Sequence, residues 1–162
     1  MNLLINWLVA IIAVVALQTS FSYFLSFYSI RPDITLTFAI FAGTVAGSTA
    51  GMTAGFFTGL FCDLLNTDFF GFNIFFLFGA GMCAGAMQKK VFKDSWLFPL
   101  LLSAGFNGAR EILWGVLIFL CDYRLTDLPV FISAAWGRIV YNTLLTLPLF
   151  FLFARVRRFG KR

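Results

Sequence analysis

Residues 43–63 read GTVAGSTAGMTAGFFTGLFCD, with glycine at Gly43, Gly47, Gly51, Gly55 and Gly59, and Asp63 in the next place of the same four-residue series. Glycine at every fourth position of an apolar helix stacks smooth faces one above another, so a second backbone can approach closely where lipid supplies no hydrophobic drive. A four-residue step turns about 40° on a helix of 3.6 residues per turn, so one straight helix spreads the six positions over about 200°. The spacing therefore predicts a bend or break near 47–49, leaving two helices that pack on each other and on a third. The ladder has two readings: internal helix packing, or a docking face for another protein. An acid in such a series costs roughly 2.5–3.5 kcal/mol at a helix centre and less toward an interface, so Asp63 needs a partner or a task.

Working outward, composition sets the class. The chain has 162 residues, is 60% hydrophobic and contains 23 Phe, with a mean hydropathy of +0.91. That exceeds what a soluble core holds, and the apolar runs approach the roughly 20 residues that cross a bilayer. An integral membrane protein is expected, with phenylalanine as lipid-facing bulk. The net charge of +5 does not point to nucleic acid, because most basic residues sit at segment ends, where they orient a membrane protein. Cys62, Cys83 and Cys121 lie apart in apolar surroundings and read as buried fillers. The chain has no histidine, which removes Ser-His and Cys-His catalysis, a rhomboid-type dyad and any His-containing metal site. No catalytic residue, cofactor or metal is expected.

Six membrane-crossing helices in a single membrane domain are predicted, at about 3–24, 33–46, 48–66, 73–88, 97–121 and 129–154. A cleaved signal peptide fits the first poorly, since no basic stretch precedes it and the apolar run is too long. Ala10, Ala13 and Ala16 give that helix a small-residue face, and Gly81 with Gly85 does the same for the fourth. Arg31-Pro32-Asp33 closes a loop with Pro placed to start a helix, and Thr67 to Gly71 makes a turn. Trp96 sits where an interfacial aromatic belongs. Lys89, Lys90, Lys93, Arg155, Arg157, Arg158, Lys161 and Arg162 fall on one side, against Arg31 and Arg124 on the other. Both termini are therefore expected in the cytoplasm, with attraction of the basic tail to anionic lipid as a secondary role.

Four charges lie inside the predicted spans: Asp63, Arg110, Glu111 and Arg138. They sum to zero, as a paired intramembrane set requires. Neighbours on a helix point about 100° apart, so Arg110 and Glu111 must seek different partners. Counting from the outer end of each span brings Glu111 and Arg138 to one depth and leaves Asp63 nearer the outer surface, so Glu111 with Arg138 is the predicted pair. Such charges either fix helix register or mark an ion or substrate path. An intramembrane aspartyl protease is set aside, because Asp63 and Glu111 differ in depth and no glycine-flanked second aspartate is present.

The order Arg31-Pro32-Asp33, Gly51, Gly55-Phe56, Gly59-Leu60, Asp63-Leu64-Leu65 and Gly71-Phe72-Asn73 resembles the bacterial rod shape-determining MreD family. The stretch from Ile139 to Pro148 (IVYNTLLTLP), followed by a basic tail, is similar to that family's last helix. The resemblance implies a non-enzymatic inner-membrane subunit of the cell-elongation machinery. Such a subunit binds the bitopic protein MreC and couples the MreB filament to RodA and a class B penicillin-binding protein for lateral peptidoglycan synthesis. The implied fold is like the S-component of energy-coupling-factor vitamin transporters, which supplies the alternative of a small-molecule uptake subunit. Fold alone does not decide between them.

Overall fold

The computed structural model describes residues 2–24, 32–65, 69–91, 97–122 and 128–159. Arg31, Asp68, Lys93, Trp96, Arg124, Lys161 and Arg162 lie outside the described residues, as does Thr67 at the start of the turn expected at Thr67 to Gly71. The described chain is all-helical: α1 (Asn2–Phe24), α2 (Ile34–Ala46), α3 (Ser48–Leu65), α4 (Phe72–Val91), α5 (Leu97–Asp122) and α6 (Leu128–Phe159).

Local chemistry sets the ends of α2. Asp33 is its N-cap: one carboxylate oxygen accepts from the Leu36 amide at 2.9 Å and from the Thr35 hydroxyl at 2.8 Å, satisfying a donor that the first turn leaves open. At the other end Gly47 takes φ +92°, and its N–H closes onto the Gly43 carbonyl at 2.9 Å. Only glycine adopts that conformation at no steric cost, and α3 begins at the next residue. Gly47 is thus the joint of the ladder and does not belong to its packing surface, for a Cβ there would meet nothing within 4 Å.

The remaining ladder glycines are closed by backbone. A Cβ on Gly51 would strike the Gly81 carbonyl, one on Gly55 the Leu77 carbonyl, and one on Gly59 would lie 2.6 Å from the Asn73 carbonyl. Partner numbers fall by four as the glycines rise by four, the register of two antiparallel helices in backbone contact. Gly43 of α2 meets Gly81 and Gly85 of α4, and Gly85 meets Ser48 at the start of α3. The three helices therefore share one glycine-lined seam.

Around that seam α2 is the central element, buried from Ile34 through Thr44. Leu36, Ala39 and Ile40 pack with Leu77, Ala80, Ala84 and Leu102 on one side; Ile34, Phe38 and Ala42 pack with Ile11, Val14 and Ala54 on the other. The α1 contact corrects the alanine-face expectation. Ile11 and Val14 dock, with Trp7 and Ala10 beside them, whereas Ala13 and Ala16 are exposed. Larger side chains fill the α1 interface because no ladder glycine faces it.

Among the described residues no helix is long and apolar enough to cross a membrane. At 13 residues α2 is roughly 20 Å long, short of a hydrocarbon core of about 30 Å. Asp63 on α3, Arg110 and Glu111 on α5 and Arg138 on α6 lower the hydropathy of these helices, and each of these side chains bonds a neighbouring helix or its first turn.

Candidate functional site

A continuous polar layer ties all six helices together at one level. From α1, the Gln18 amide donates to the Pro32 carbonyl at 2.9 Å and accepts from the Ile34 amide at 2.8 Å. Beside them Arg110 of α5 donates one guanidinium nitrogen to the Asp33 carboxylate and the other to the Asn73 side-chain oxygen of α4 at 2.6 Å. Asn142 of α6 accepts from the Asp33 amide at 2.8 Å. One aspartate therefore caps α2, neutralises a cation on α5 and offers its own N–H to α6.

Asp63 completes the layer from α3. Its carboxylate accepts from the amides of Gly71, Asn73 and Ile74 at 3.0, 3.2 and 3.0 Å and from the Asn73 side-chain amide at 2.7 Å. The residue is only 3% exposed. Gly71, at φ +97°, makes the turn that aims these amides, and the N-terminal end of α4 is where an anion is favoured. Donors in place of a cation thus answer the cost of burying this acid.

Below this layer a hydroxyl and amide cluster continues inward. The Ser103 and Thr146 hydroxyls lie 2.6 Å apart, the Asn107 amide donates to the Ser103 carbonyl at 2.8 Å, and Thr146 donates to the Asn142 carbonyl at 2.8 Å. On the other side, Arg138 grips Glu111 through two parallel bonds of 2.8 and 2.6 Å, with its guanidinium 5.9 Å from the Phe131 ring. Such a fork fixes geometry as well as charge.

Two expectations from the sequence change here. The set Asp63, Arg110, Glu111 and Arg138 does not close on itself: Arg110 pairs with Asp33, which the sequence placed at a loop end, and Asp63 pairs with N–H groups. Nor does Asp63 lie nearer the outer surface than Glu111, since Asp63 is joined to Arg110 through Asn73. The count from helix ends fails because α5 and α6 run past the start of α2, for Asp33 meets Arg110 and Asn142 deep within them. About 18 Å of α5 and 21 Å of α6 extend beyond that level. Asn73, Asn142, Gln18 and the hydroxyls were missed as site members, and their one signal was that Asp33, Asp63, Gly71, Asn73 and Asn142 all fall in the family-like stretches.

The rod shape-determining protein MreD family matches residues 1–158. The chain belongs to the MreD family. No curated protein and no solved structure matches it. MreD is a membrane family with a role in rod shape determination. The polar layer is thus assembled largely from the residues that carry the MreD resemblance.

Between α4 and α5 the helices part to leave a groove of about 710 Å³, bordered by Phe69, Phe72, Phe75, Gly79, Leu113 and Val116. Arg110 lies behind it, 6.0 and 5.9 Å from the Phe72 and Phe76 ring centres. Of the cysteines, Cys62 is buried and Cys83 half-buried at the groove. The Cys121 side chain is outside the described residues. Among the described residues no cluster of His, Cys, Asp or Glu fits a metal ion.

Proposed function

We propose that this MreD-family chain is a non-enzymatic inner-membrane subunit of the bacterial elongation complex. It binds an MreC-like bitopic protein and through it supports lateral peptidoglycan synthesis by RodA and a class B penicillin-binding protein on the MreB track. The observation that carries this reading is the polar layer, whose charges are spent on holding six helices in register. Asp33, Asp63, Arg110, Glu111 and Arg138 each bond another part of the same chain. That is the chemistry of a scaffold.

The placement in the bilayer follows the same layer. From Asn73 to Lys89 is roughly 24 Å and from Asn142 to Arg155 roughly 20 Å, so basic residues end the inner side. Trp136, 68% exposed, lies about 9 Å on the other side of Asn142, where an interfacial aromatic belongs. The span between them matches a core of about 30 Å. Both termini then face the cytoplasm, and a reporter active only there, fused after Arg162, is expected to be on. The deciding experiment is mild-detergent purification from the native membrane. A co-purifying bitopic protein with an extracytoplasmic domain supports the reading, whereas a bound vitamin with an ATP-binding-cassette module overturns it.

A further inference from the structure

We infer that this chain thins the outer leaflet of the bilayer along α3 and leaves it at full depth along α5 and α6, an inference that rests on the membrane placement proposed above. The polar layer supplies a common level, because Asp63, Asn73, Arg110 and Asn142 are joined there, the last two through Asp33. Inward from that level, Asp63 to Ser48 on α3 is about 22 Å, Asn73 to Lys89 on α4 about 24 Å and Asn142 to Arg155 on α6 about 20 Å. The inner ends of these helices are therefore even to within about 4 Å. Any larger difference in height between the two sides arises at the outer face.

There the two sides differ. Among the described residues α3 touches α1, α2 and α4 but neither α5 nor α6, so it lies across the central α2 from that pair. Its exposed apolar side chains, from Phe56 to Leu65, stop at the polar layer. Beside it on α1 the exposed apolar residues described end at Leu17, Gln18 joins the layer, and Thr19 and Ser20 beyond it are exposed. The inner end of α3 begins Ser48-Thr49, and Thr53 is exposed, which leaves this wall an apolar height of no more than about 22 Å. By contrast α5 and α6 run on past the layer. Leu120 on α5 and Ile132 on α6, 65% and 58% exposed, stand about 15 Å beyond it. From Ile132 to Leu152 the exposed apolar belt of α6 is about 30 Å high, which matches a hydrocarbon core. A bilayer of uniform depth would hold the outer end of the α3 wall about 8 Å beneath the headgroups. Tilting the bundle does not relieve this, because lifting the outer end of α3 lifts its inner end as well. A wall shorter than the core is met by thinning of the bilayer beside it, and the lipids that fit there are short-chained.

Spin labels at matched levels read the step. On a background of Cys62→Ala, Cys83→Ala and Cys121→Ala, the full chain carries one label at a time, at Leu64→Cys on α3 or Val140→Cys on α6, both exposed and both within about 3 Å of the layer. Depth is measured from oxygen and nickel-chelate collision rates in vesicles of oleoyl phosphatidylcholine. The Leu64 label is expected at the headgroups and the Val140 label about 7 Å deeper. Phe61→Cys and Leu144→Cys, also exposed and each about 3 Å inward of the layer, repeat the comparison. In vesicles of the shorter myristoleoyl chains the difference should vanish, because that core matches the α3 wall. Thr53→Cys on α3 and Leu152→Cys on α6, both about 15 Å inward of the layer, should lie at equal depth in both lipids. Equal depths for the outer pairs in oleoyl vesicles overturn the thinning and spare the placement. So does a matching difference between Thr53 and Leu152, which marks a tilted bundle, or a step that persists in the short lipid. Labels that all meet the nickel chelate as freely as in water overturn the placement and the thinning together.

Discussion

Gly51 and Gly79 sit on neighbouring helices of one bundle, yet a Cβ on Gly51 would strike the Gly81 backbone whereas a Cβ on Gly79 would meet nothing within 4 Å. The seam of α2, α3 and α4 is closed by main chain against main chain, which leaves no side chain able to yield. On the α5 and α6 side the joint is made by side chains, through Arg110 and the Phe76–Phe106 ring pair on α5 and Asn142 on α6. Gly105 and Gly108 on α5 also face open space. The difference teaches that glycine in a membrane-family helix marks close approach only where a neighbouring helix is present; elsewhere it leaves the face open.

Four measurements break or sharpen this contrast. The largest effect is expected at the hinge between the two regions. Asp33→Ala strips the α2 cap and leaves Arg110 unpaired, a loss of roughly 3–5 kcal/mol by analogy with broken buried pairs. It should appear as collapse of monodisperse yield in detergent, with partial recovery in Asp33→Ala/Arg110→Met. If Arg110→Met alone costs as little as a surface change, the side-chain joint is not what holds α5.

Within the closed seam, Gly51→Ala and Gly55→Ala are expected to cost about 1–3 kcal/mol each, since backbone must move to admit the methyl group. Thermal stability followed by size-exclusion chromatography reads this directly. Full stability with selective loss of partner binding would move the ladder from internal packing to an outer interface. Next in size is Glu111→Gln, at about 2 kcal/mol for a charged hydrogen bond. The cycle with Arg138→Gln should show positive coupling, and simple additivity would mean that the fork is absent in solution.

The smallest effect has the opposite sign. Gly79→Ala and Gly105→Ala should leave stability unchanged or raise it by up to about 1 kcal/mol, because alanine is the better helix former and no atom stands in the way. Should Gly79→Ala destabilise as Gly51→Ala does, the closed and open regions are not distinct.

The sequence by itself determined the features that are local or periodic. The all-helical plan follows from apolar runs, and the need for a break from a four-residue ladder that cannot stay on one face; small residues repeating on α3 and α4 marked packing faces, and the structure decided that those faces meet each other. Counting along α5 and α6, which are joined by a short connection, also brings Glu111 and Arg138 level. What only the tertiary structure decided is how far one helix slides along another. Arg110 finds Asp33, 77 residues away in the chain, because α5 runs past the start of α2. Asp63 finds amides and, among the described residues, no cation, because the turn at Gly71 folds the end of α4 over it. The same slide and splay leave α4 and α5 parted at Gly79. Periodicity fixes the angle of a residue around its own helix, but axial offset between helices is set by packing across the bundle, and no spacing along a single chain encodes it.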